Sequence, residues 1–367
     1  MKQIAVLAAA ALLLTGCGAA PSADGQSSSP QVTTADVPSS DTETAQTTAY
    51  DPFAEDDSDS DGLIIRSWGS GADWKDGRMY VLDYAPTVSL RCYEELDGAV
   101  NDVGLLLFVN GFSQPYRTDE EPSVQTMHIA EVPPGERKYI TVEFEPVAGE
   151  LGDTLSVEII TMLHPRFMPT PQTKESELFI SHSLHPFMPS KLSVTEKTGV
   201  TEPAVCTDYT AEPVTEALRK QYLVMGSTGS YSGENRLDST VFLEVTQNAG
   251  IVTPAGMLGG AARELSFSAD APVTLCMLGG QRCTYRVSLF ADHELVHGAF
   301  DGCDYLDMTP APDTLCKKEI DLGTLGLPAE GQHHIYFAAV PFYTGKNAGE
   351  EVIKSVSAAL LPGSSRP

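Results

Sequence analysis

The chain has 367 residues and carries 50 acidic against 23 basic side chains, which gives a formal net charge of −27 at pH 7. A polyanion of this kind repels nucleic acid and anionic lipid headgroups, so the composition argues against a nucleic-acid-binding protein. The length beyond the N-terminal region is sufficient for two domains of ordinary size.

The N-terminus has the parts of a bacterial export signal. Lys2 precedes an apolar run over 4–14, which is too short to span a hydrocarbon core of about 30 Å as a helix. The run leads into the letters LTGC, ending at Cys17, which resemble the lipobox of bacterial lipoproteins. The resemblance implies that residues 1–16 are a removed signal peptide, and that Cys17 is acylated, for example with palmitate. The protein would then be held by lipid at the outer face of a membrane in the cell envelope.

Residues 17–62 are predicted to form a disordered tether. The segment contains no Lys or Arg, many Asp and Glu, and otherwise mainly Ser, Thr, Ala, Gln and Pro, so it cannot bury enough apolar surface to offset the entropy of ordering. Its end resembles the opening of a calcium loop, with Asp57, Asp59 and Asp61 as oxygen ligands. Trp68 stands where such a loop needs a bidentate Glu, so calcium binding is the lesser alternative to a solvated acidic segment.

After residue 62 the sequence consists of short alternating runs bounded by Gly, Pro, Asn and Asp. Their length and spacing are typical of antiparallel β-sandwiches. One helix is predicted over 214–225, although the letters QYLVM within it are also compatible with a strand. The fold class expected is all-β, with two tandem Ig-like antiparallel β-sandwich domains. The predicted strands cover 78–83, 88–92, 104–109, 138–144 and 154–162.

The two halves of the sequence resemble each other. DYAPTVSLRC matches ADAPVTLC, VGLLLFVNG matches YRVSLFADH, and GDTLSVEIITML matches GQHHIYFAAVPF, in the same order and about 180 residues apart. This spacing predicts a duplicated β-domain in which Val109 of the first copy is equivalent to a position near Ala291 of the second copy. The architecture resembles that of tandem Ig-like lipoproteins of bacterial surfaces. The predicted boundaries are 63–195 and 230–362 for the domains, 196–229 for the junction and 363–367 for the tail.

The segment DHELVHG, which begins at Asp292, resembles the His-Glu-x-x-His motif of zinc metallopeptidases. That resemblance implies His293 and His297 as zinc ligands and Glu294 as the general base. In the first half the corresponding letters are VNG, and Asn-Gly between apolar runs predicts a hairpin turn. Along a strand the two histidines would lie about 13 Å apart, too far to share one zinc ion. We therefore predict a turn at Asp292-His293, with the zinc peptidase as the enzymatic alternative.

Six cysteines remain besides Cys17, and export favours disulfides among them. Cys276 and Cys283 are placed symmetrically about a Gly-Gly pair and would face each other if that pair is a hairpin turn. Cys303 and Cys316 flank a loop that contains proline. Buried free thiols are the alternative.

The sequence contains neither a Gly-rich phosphate loop nor a Gly-x-Ser-x-Gly motif, and it predicts no cofactor. It favours a lipid-anchored, non-catalytic surface protein that binds or adheres to an extracellular or envelope partner of unknown identity. A structural spacer, or a subunit of an envelope assembly, is a further alternative. Loops of the second domain are expected to meet the partner first, with Phe300 and Tyr305 as anchors.

Overall fold

All the described residues belong to one compact unit. The predicted signal peptide, the whole predicted tether with Cys17, and the calcium candidates Asp57, Asp59 and Asp61 lie outside the described residues. The computed structural model describes residues 65–72, 81–98, 100–170, 184–186, 190–196, 199–225, 231–247, 266–280, 283–328, 331–341, 353–354 and 358–361.

The first half is a sandwich of two sheets. In spatial order, the smaller sheet contains β1 (Ile65–Ala72), β3 (Val88–Gly98), β8 (Arg137–Phe144) and β6 (Arg117–Thr118). The larger sheet contains β2 (Val81–Asp83), β11 (Ser190–Ser193), β9 (Thr154–Leu163), β4 (Asp102–Val109) and β5 (Phe112–Ser113), with β10 (Leu184–Pro186) also on β9 and β7 (Met127–Glu131) also on β4.

The second half is also a sandwich. The larger sheet contains β12 (Val205–Cys206), β21 (Tyr305–Met308), β19 (Tyr285–Ala291), β23 (His333–Pro341), β25 (Ala358–Leu361) and β17 (Ser266–Ser268), with β20 (Glu294–Leu295) on β19 and β24 (Ile353–Lys354) on β23. The smaller sheet contains β13 (Thr210–Pro213), β22 (Thr314–Ile320), β18 (Val273–Gly279) and β16 (Val241–Thr246). Together, the two sandwiches confirm the all-β fold class.

The two sandwiches share a pairing scheme. In the larger sheets, the neighbours β2-β11-β9-β4-β7 correspond to β17-β25-β23-β19-β21, and the first pair of each series is parallel while the others are antiparallel. In the smaller sheets, β1-β3-β8 corresponds to β16-β18-β22. The strand beyond β8 is β6, whereas the strand beyond β22 is β13 from the junction. The shared scheme is what duplication of one β-domain predicts.

Each sandwich has its own apolar core between its two sheets. Alternate residues of β3, from Val88 to Leu96, point inward because successive side chains of a strand face opposite ways. In the second sandwich Val273, Leu275 and Met277 of β18 occupy the matching positions. Burial of each large apolar side chain stabilises the fold by about 1.5–3 kcal/mol.

Two central strands are buried on both faces, because the larger sheets of the two sandwiches pack on each other. Every residue of β4 and of β19 is buried. One face of each strand lines its own core, and the other contributes to a shared apolar cluster in which Phe108 meets Phe290 edge-on at 6.3 Å between ring centroids. The buried members of this inter-sandwich cluster are Leu106, Phe108, Met127, Ile160, Met162, Phe290, Tyr336, Ala338 and Val340.

The predicted junction is built into the second sandwich, since it supplies β12 and β13 as outer strands of both sheets. It also contains α1 (Glu216–Gln221), whose first turn is capped by the Thr215 side chain accepting the Leu218 N–H at 3.2 Å. The helix predicted over 214–225 is correct for these six residues. It ends before β14 (Leu223–Met225), which pairs with β15 (Tyr231–Asn235) and realises the strand alternative for QYLVM.

Two short 3-10 turns, Arg236–Asp238 and Leu322–Thr324, complete the described secondary structure. None of the helices in the described residues is long and apolar enough to cross a bilayer.

Candidate functional site

The DHELVHG segment forms a β-hairpin. Strand β19 ends at Ala291, and Asp292 and His293 both adopt left-handed backbone conformations, with φ of 49° and 71°. Glu294 then begins β20 and pairs with Ala291. Two successive left-handed residues are the signature of a type I′ turn, which matches the twist of the flanking strands. The predicted turn is confirmed.

The two histidines of this segment contact different partners. His293 Nε2 donates to the carbonyl oxygen of Pro165 at 2.8 Å, which assigns the ring proton to that nitrogen. His297 is largely exposed and its Nδ1 lies 2.8 Å from Asp304 Oδ2. The motif therefore lacks the helical geometry that places two histidines on one zinc ion. In the described part of the chain, no three His, Cys, Asp or Glu side chains are grouped to hold a metal.

Glu294 also contacts the first sandwich, because its Oε2 accepts the Thr126 hydroxyl at 2.6 Å. Asp292 links the turn to β23. Its Oδ1 accepts the backbone N–H of His334, and its Oδ2 lies 2.6 Å from His333 Nδ1. That hydrogen bond raises the pKa of His333 above its ordinary value. The His-Glu pair thus has a structural role in this fold, since it joins the hairpin of the second sandwich to the first.

The matching hairpin of the first sandwich makes the reciprocal contact. Asn110 and Gly111, both left-handed, connect β4 to β5. The Asn110 carbonyl accepts from Arg286 Nη1 at 3.1 Å, and the Arg286 guanidinium lies 3.8 Å from the centre of the Phe112 ring. Each type I′ hairpin therefore reaches across to the other sandwich, as in an interface between two copies related by a two-fold axis.

Phe300 and Tyr305 are not surface anchors, so that prediction is wrong. Phe300 is fully buried and packs near Phe337, with ring centroids 6.5 Å apart. Tyr305 is 2% exposed and meets Phe112 edge-on at 5.0 Å. The sequence placed both residues in an acidic loop region. In the structure, the Phe300 ring lies in the core of the second sandwich, and the Tyr305 ring packs on Phe112 of the first sandwich.

The expected pairing of Cys276 with Cys283 is also wrong. Gly279 and Gly280, at positive φ, carry the chain from one sheet to the other, because β18 pairs with β16 and β22 while β19 lies in the larger sheet. Cys276 and Cys283 consequently belong to different apolar clusters.

Cys303 and Cys316 are likewise not joined to each other, since both are free thiols in this structure. Burial raises the pKa of Cys276 to about 12 and that of Cys316 to about 11. These two are therefore protonated and unreactive at neutral pH.

An exposed aromatic surface, which the sequence reasoning missed, lies on the outer face of the smaller sheet of the first sandwich. Tyr93 of β3 and Tyr139 of β8 are paired across the strands, with ring centroids 5.9 Å apart. The guanidinium of Arg137 lies 4.1 Å from the Tyr93 ring centre, and that of Arg91 lies 4.3 Å from the Tyr139 ring centre. These four residues are called the Tyr–Arg surface below.

Local structure positions the Tyr–Arg surface. Outward residues of β3 alternate with core residues, so Arg91 and Tyr93 point away from the core by the period of the strand. Gly71 of β1 faces Tyr93, and a β-carbon there would lie 2.8 Å from the tyrosine ring, so glycine lets the ring lie over β1. Tyr139 is 40% exposed. The signal in the sequence was Tyr139 within the predicted strand 138–144, whereas Tyr93 directly follows the predicted strand 88–92.

Comparison with known proteins gives no functional assignment. No protein-family model matches the chain, and no curated protein matches it. Among solved structures, a protein of unknown function from Porphyromonas gingivalis W83 aligns with 80% of this chain and 99% of its own, at 9% identity and a TM-score of 0.20. The periplasmic chaperone SfaE aligns with 79% of this chain and 99% of its own, at 9% identity and a TM-score of 0.17.

Proposed function

We propose that this is a lipid-anchored protein of the bacterial cell surface or envelope that binds a partner protein, without catalysis, through the Tyr–Arg surface. The anchoring part of the proposal is supported by the lipobox-like letters that end at Cys17 and by the acidic tether that follows. The binding part depends on one structural observation, the contact of the exposed Tyr139 with the half-buried Tyr93, each ring covered by an arginine.

The composition of this surface supports recognition of a protein. Tyrosine and arginine are among the residue types that contribute most to binding energy at protein interfaces. Here the guanidinium groups of Arg91 and Arg137 already lie against the rings, and Arg137 also forms an ion pair with Glu95 at 2.9 Å. Side chains held in place before binding lose less conformational entropy when a partner docks.

The packing of the two sandwiches supports a fixed presentation of this surface. The inter-sandwich cluster, the His293 contact and the Arg286 contact join the larger sheets. The Tyr–Arg surface lies on the smaller sheet of the first sandwich, away from that joint. A partner could therefore bind the Tyr–Arg surface without any movement of one sandwich relative to the other.

The double substitution Tyr93→Ser and Tyr139→Ser is expected to weaken partner capture at least about tenfold, because it removes both rings and the stacking that orders the arginines. Tagged full-length protein, extracted from the native envelope after crosslinking, is compared with the variant by quantitative mass spectrometry. Val124→Ser is the matched control, since Val124 is 67% exposed and lies outside this surface. Equal capture by the double variant and the wild type would contradict the binding proposal.

Cys17→Ala is expected to abolish acylation, so the protein should leave the membrane fraction or keep its signal peptide. Metabolic labelling with palmitate and membrane fractionation measure the two effects. Cys206→Ala serves as a cysteine control that should leave both labelling and attachment unchanged. Persistent labelling of the Cys17→Ala protein, with unchanged attachment and mature mass, would refute lipid anchoring.

A further inference from the structure

Two cysteines from distant parts of the chain meet at the edge of the second sandwich. Cys206 ends β12, in the segment predicted as a junction, and Cys303 lies in the loop between β20 and β21. Cys206 is close enough to Cys303 to contribute to the raised pKa of the Cys303 thiol. Both side chains are partly buried and pack against the core of the second sandwich.

The backbone holds both cysteines in place. Strand β12 runs parallel to β21, with Val205 beside Tyr305 and Cys206 beside Leu306. Cys303 exchanges two backbone hydrogen bonds with Phe300, both of 2.9 Å, and the Phe300 side chain is fully buried. Backbone hydrogen bonds thus fix the position of each cysteine.

An ion cluster joins the same two segments. Lys318 Nζ forms ion pairs with Asp301 and, at 3.5 Å, with Asp208. Asp208 follows Cys206 by two residues, and Asp301 precedes Cys303 by two. Burial lowers the pKa of Lys318, but its hydrogen bond to Asp301 and the charges of Asp301, Cys206 and Asp208 raise it above the ordinary value overall. The ion cluster therefore holds the segment that contains Cys206 against the segment that contains Cys303.

We propose that Cys206 and Cys303 are a redox pair that forms a disulfide by exchange with an external disulfide donor, locking β12 onto the second sandwich. The Cys206 thiolate attacks one donor sulfur, and the other donor sulfur leaves as a thiolate. Cys303 then loses its proton and attacks the Cys206 sulfur of the mixed disulfide, which releases the second donor sulfur as a thiolate, so that both donor sulfurs end as thiols. Two electrons and two protons pass to the donor, which is reduced, while the two cysteines are oxidised.

Such a bond would stabilise the folded state, because it closes a loop of about 100 residues and restricts the unfolded chain. It would also fasten a two-residue strand that completes the edge of the larger sheet. This inference does not depend on the identity of a partner or on the Tyr–Arg surface.

The test uses the full-length protein, fully reduced and then incubated with oxidised glutathione as the disulfide donor. After acid quenching and alkylation, a non-reducing peptide map is expected to contain one peptide pair linked through Cys206 and Cys303. The oxidised protein should have a Tm higher by about 5 °C or more, an increase that dithiothreitol reverses. In Cys206→Ser and Cys303→Ser, dithiothreitol should leave Tm unchanged, with far-UV circular dichroism confirming that both variants fold.

Three outcomes would overturn the proposal. The wild-type peptide map could show only glutathione adducts on these cysteines, or it could show Cys303 joined to another cysteine. The linked protein could instead have the same Tm as the reduced protein. The wild-type map is decisive even if a serine variant does not fold.

The order of attack has its own test in the reduced protein. Desolvation, the neighbouring Cys206 and the charges of Asp304 and Asp301 raise the pKa of Cys303. Iodoacetamide should therefore alkylate Cys303 slowly at neutral pH, since the thiolate is the nucleophile, and its rate is compared with the rate measured for Cys206. Faster labelling of Cys303 would reverse the assigned roles of the two sulfurs.

Discussion

Replacing Arg286 with Met is expected to lower the free energy of unfolding by about 3–5 kcal/mol, which is the typical cost of breaking a buried ion pair. The Arg286 side chain is 7% exposed and donates to both carboxylate oxygens of Asp307, at 2.9 Å each. It also donates to the Asn110 carbonyl and covers the Phe112 ring across the inter-sandwich contact. The substitution would leave the Asp307 carboxylate largely buried without its cation.

Denaturant unfolding of the purified protein measures this effect, and two variants serve as controls. Arg117→Met breaks an exposed pair with Glu143, in which the side chains are 44% and 42% exposed, and should cost less than about 1 kcal/mol. The double variant Arg286→Met and Asp307→Asn removes the stranded carboxylate and should recover part of the loss. If Arg286→Met costs no more than Arg117→Met, Arg286 does not stabilise the contact between the sandwiches.

Above neutral pH, the Glu158→Gln variant is expected to have a higher free energy of unfolding than the wild type. In acid, the two proteins should be nearly equally stable. Glu158 lies on β9 opposite Phe108 and is 3% exposed. It alternates with Ile160 and Met162, which belong to the inter-sandwich cluster. Its Oε1 makes no hydrogen bond within the described residues. Burial raises the pKa of Glu158 to about 7.

The direction of this pH effect on stability follows from proton binding by Glu158. Between the ordinary pKa of 4.5 and about 7, the folded protein holds a proton on Glu158 that the unfolded chain has lost. Stability contributed by this group is therefore complete below pH 4.5 and is lost as the pH rises through about 7. The shift corresponds to about 3 kcal/mol, since each pKa unit is worth about 1.4 kcal/mol.

Unfolding free energies of the wild type and Glu158→Gln, measured from pH 4 to pH 8, give the difference that isolates this carboxyl group. His333 also has a raised pKa and contributes stability that is lost in the same direction, but it is present in both proteins and cancels. Glu319→Gln, at an exposed position of β22, is the control and should give a flat difference. A flat difference for Glu158→Gln as well would show that this carboxyl titrates normally.

Local chemistry made much of the fold predictable from the sequence. Alternation in 88–92 and 138–144 identified β3 and β8, because the side-chain period of a strand is visible wherever only one face lines a core. The short apolar run over 104–109 identified β4, which is buried on both faces. The turn at Asp292 and His293 was predictable from the repeat, since its counterpart in the first half carries an Asn-Gly pair. The motif could thus be assigned to a hairpin before its contacts were known.

The tertiary structure alone decided what each face and each cysteine contacts. Alternation in β19 separates Arg286 and Ser288 from the core residues, but it does not show that their face is buried against another sheet. Likewise, Phe300 and Tyr305 lie near acidic residues in sequence and yet fill buried positions. Spacing suggested that Cys276 faces Cys283, whereas the chain crosses between the sheets after Gly279. The segments of Cys206 and Cys303 are brought together by the pairing of β12 with β21 and by the ion pairs of Lys318. The pattern of a sequence predicts which side chains are buried, but it does not identify the distant segment that packs against them.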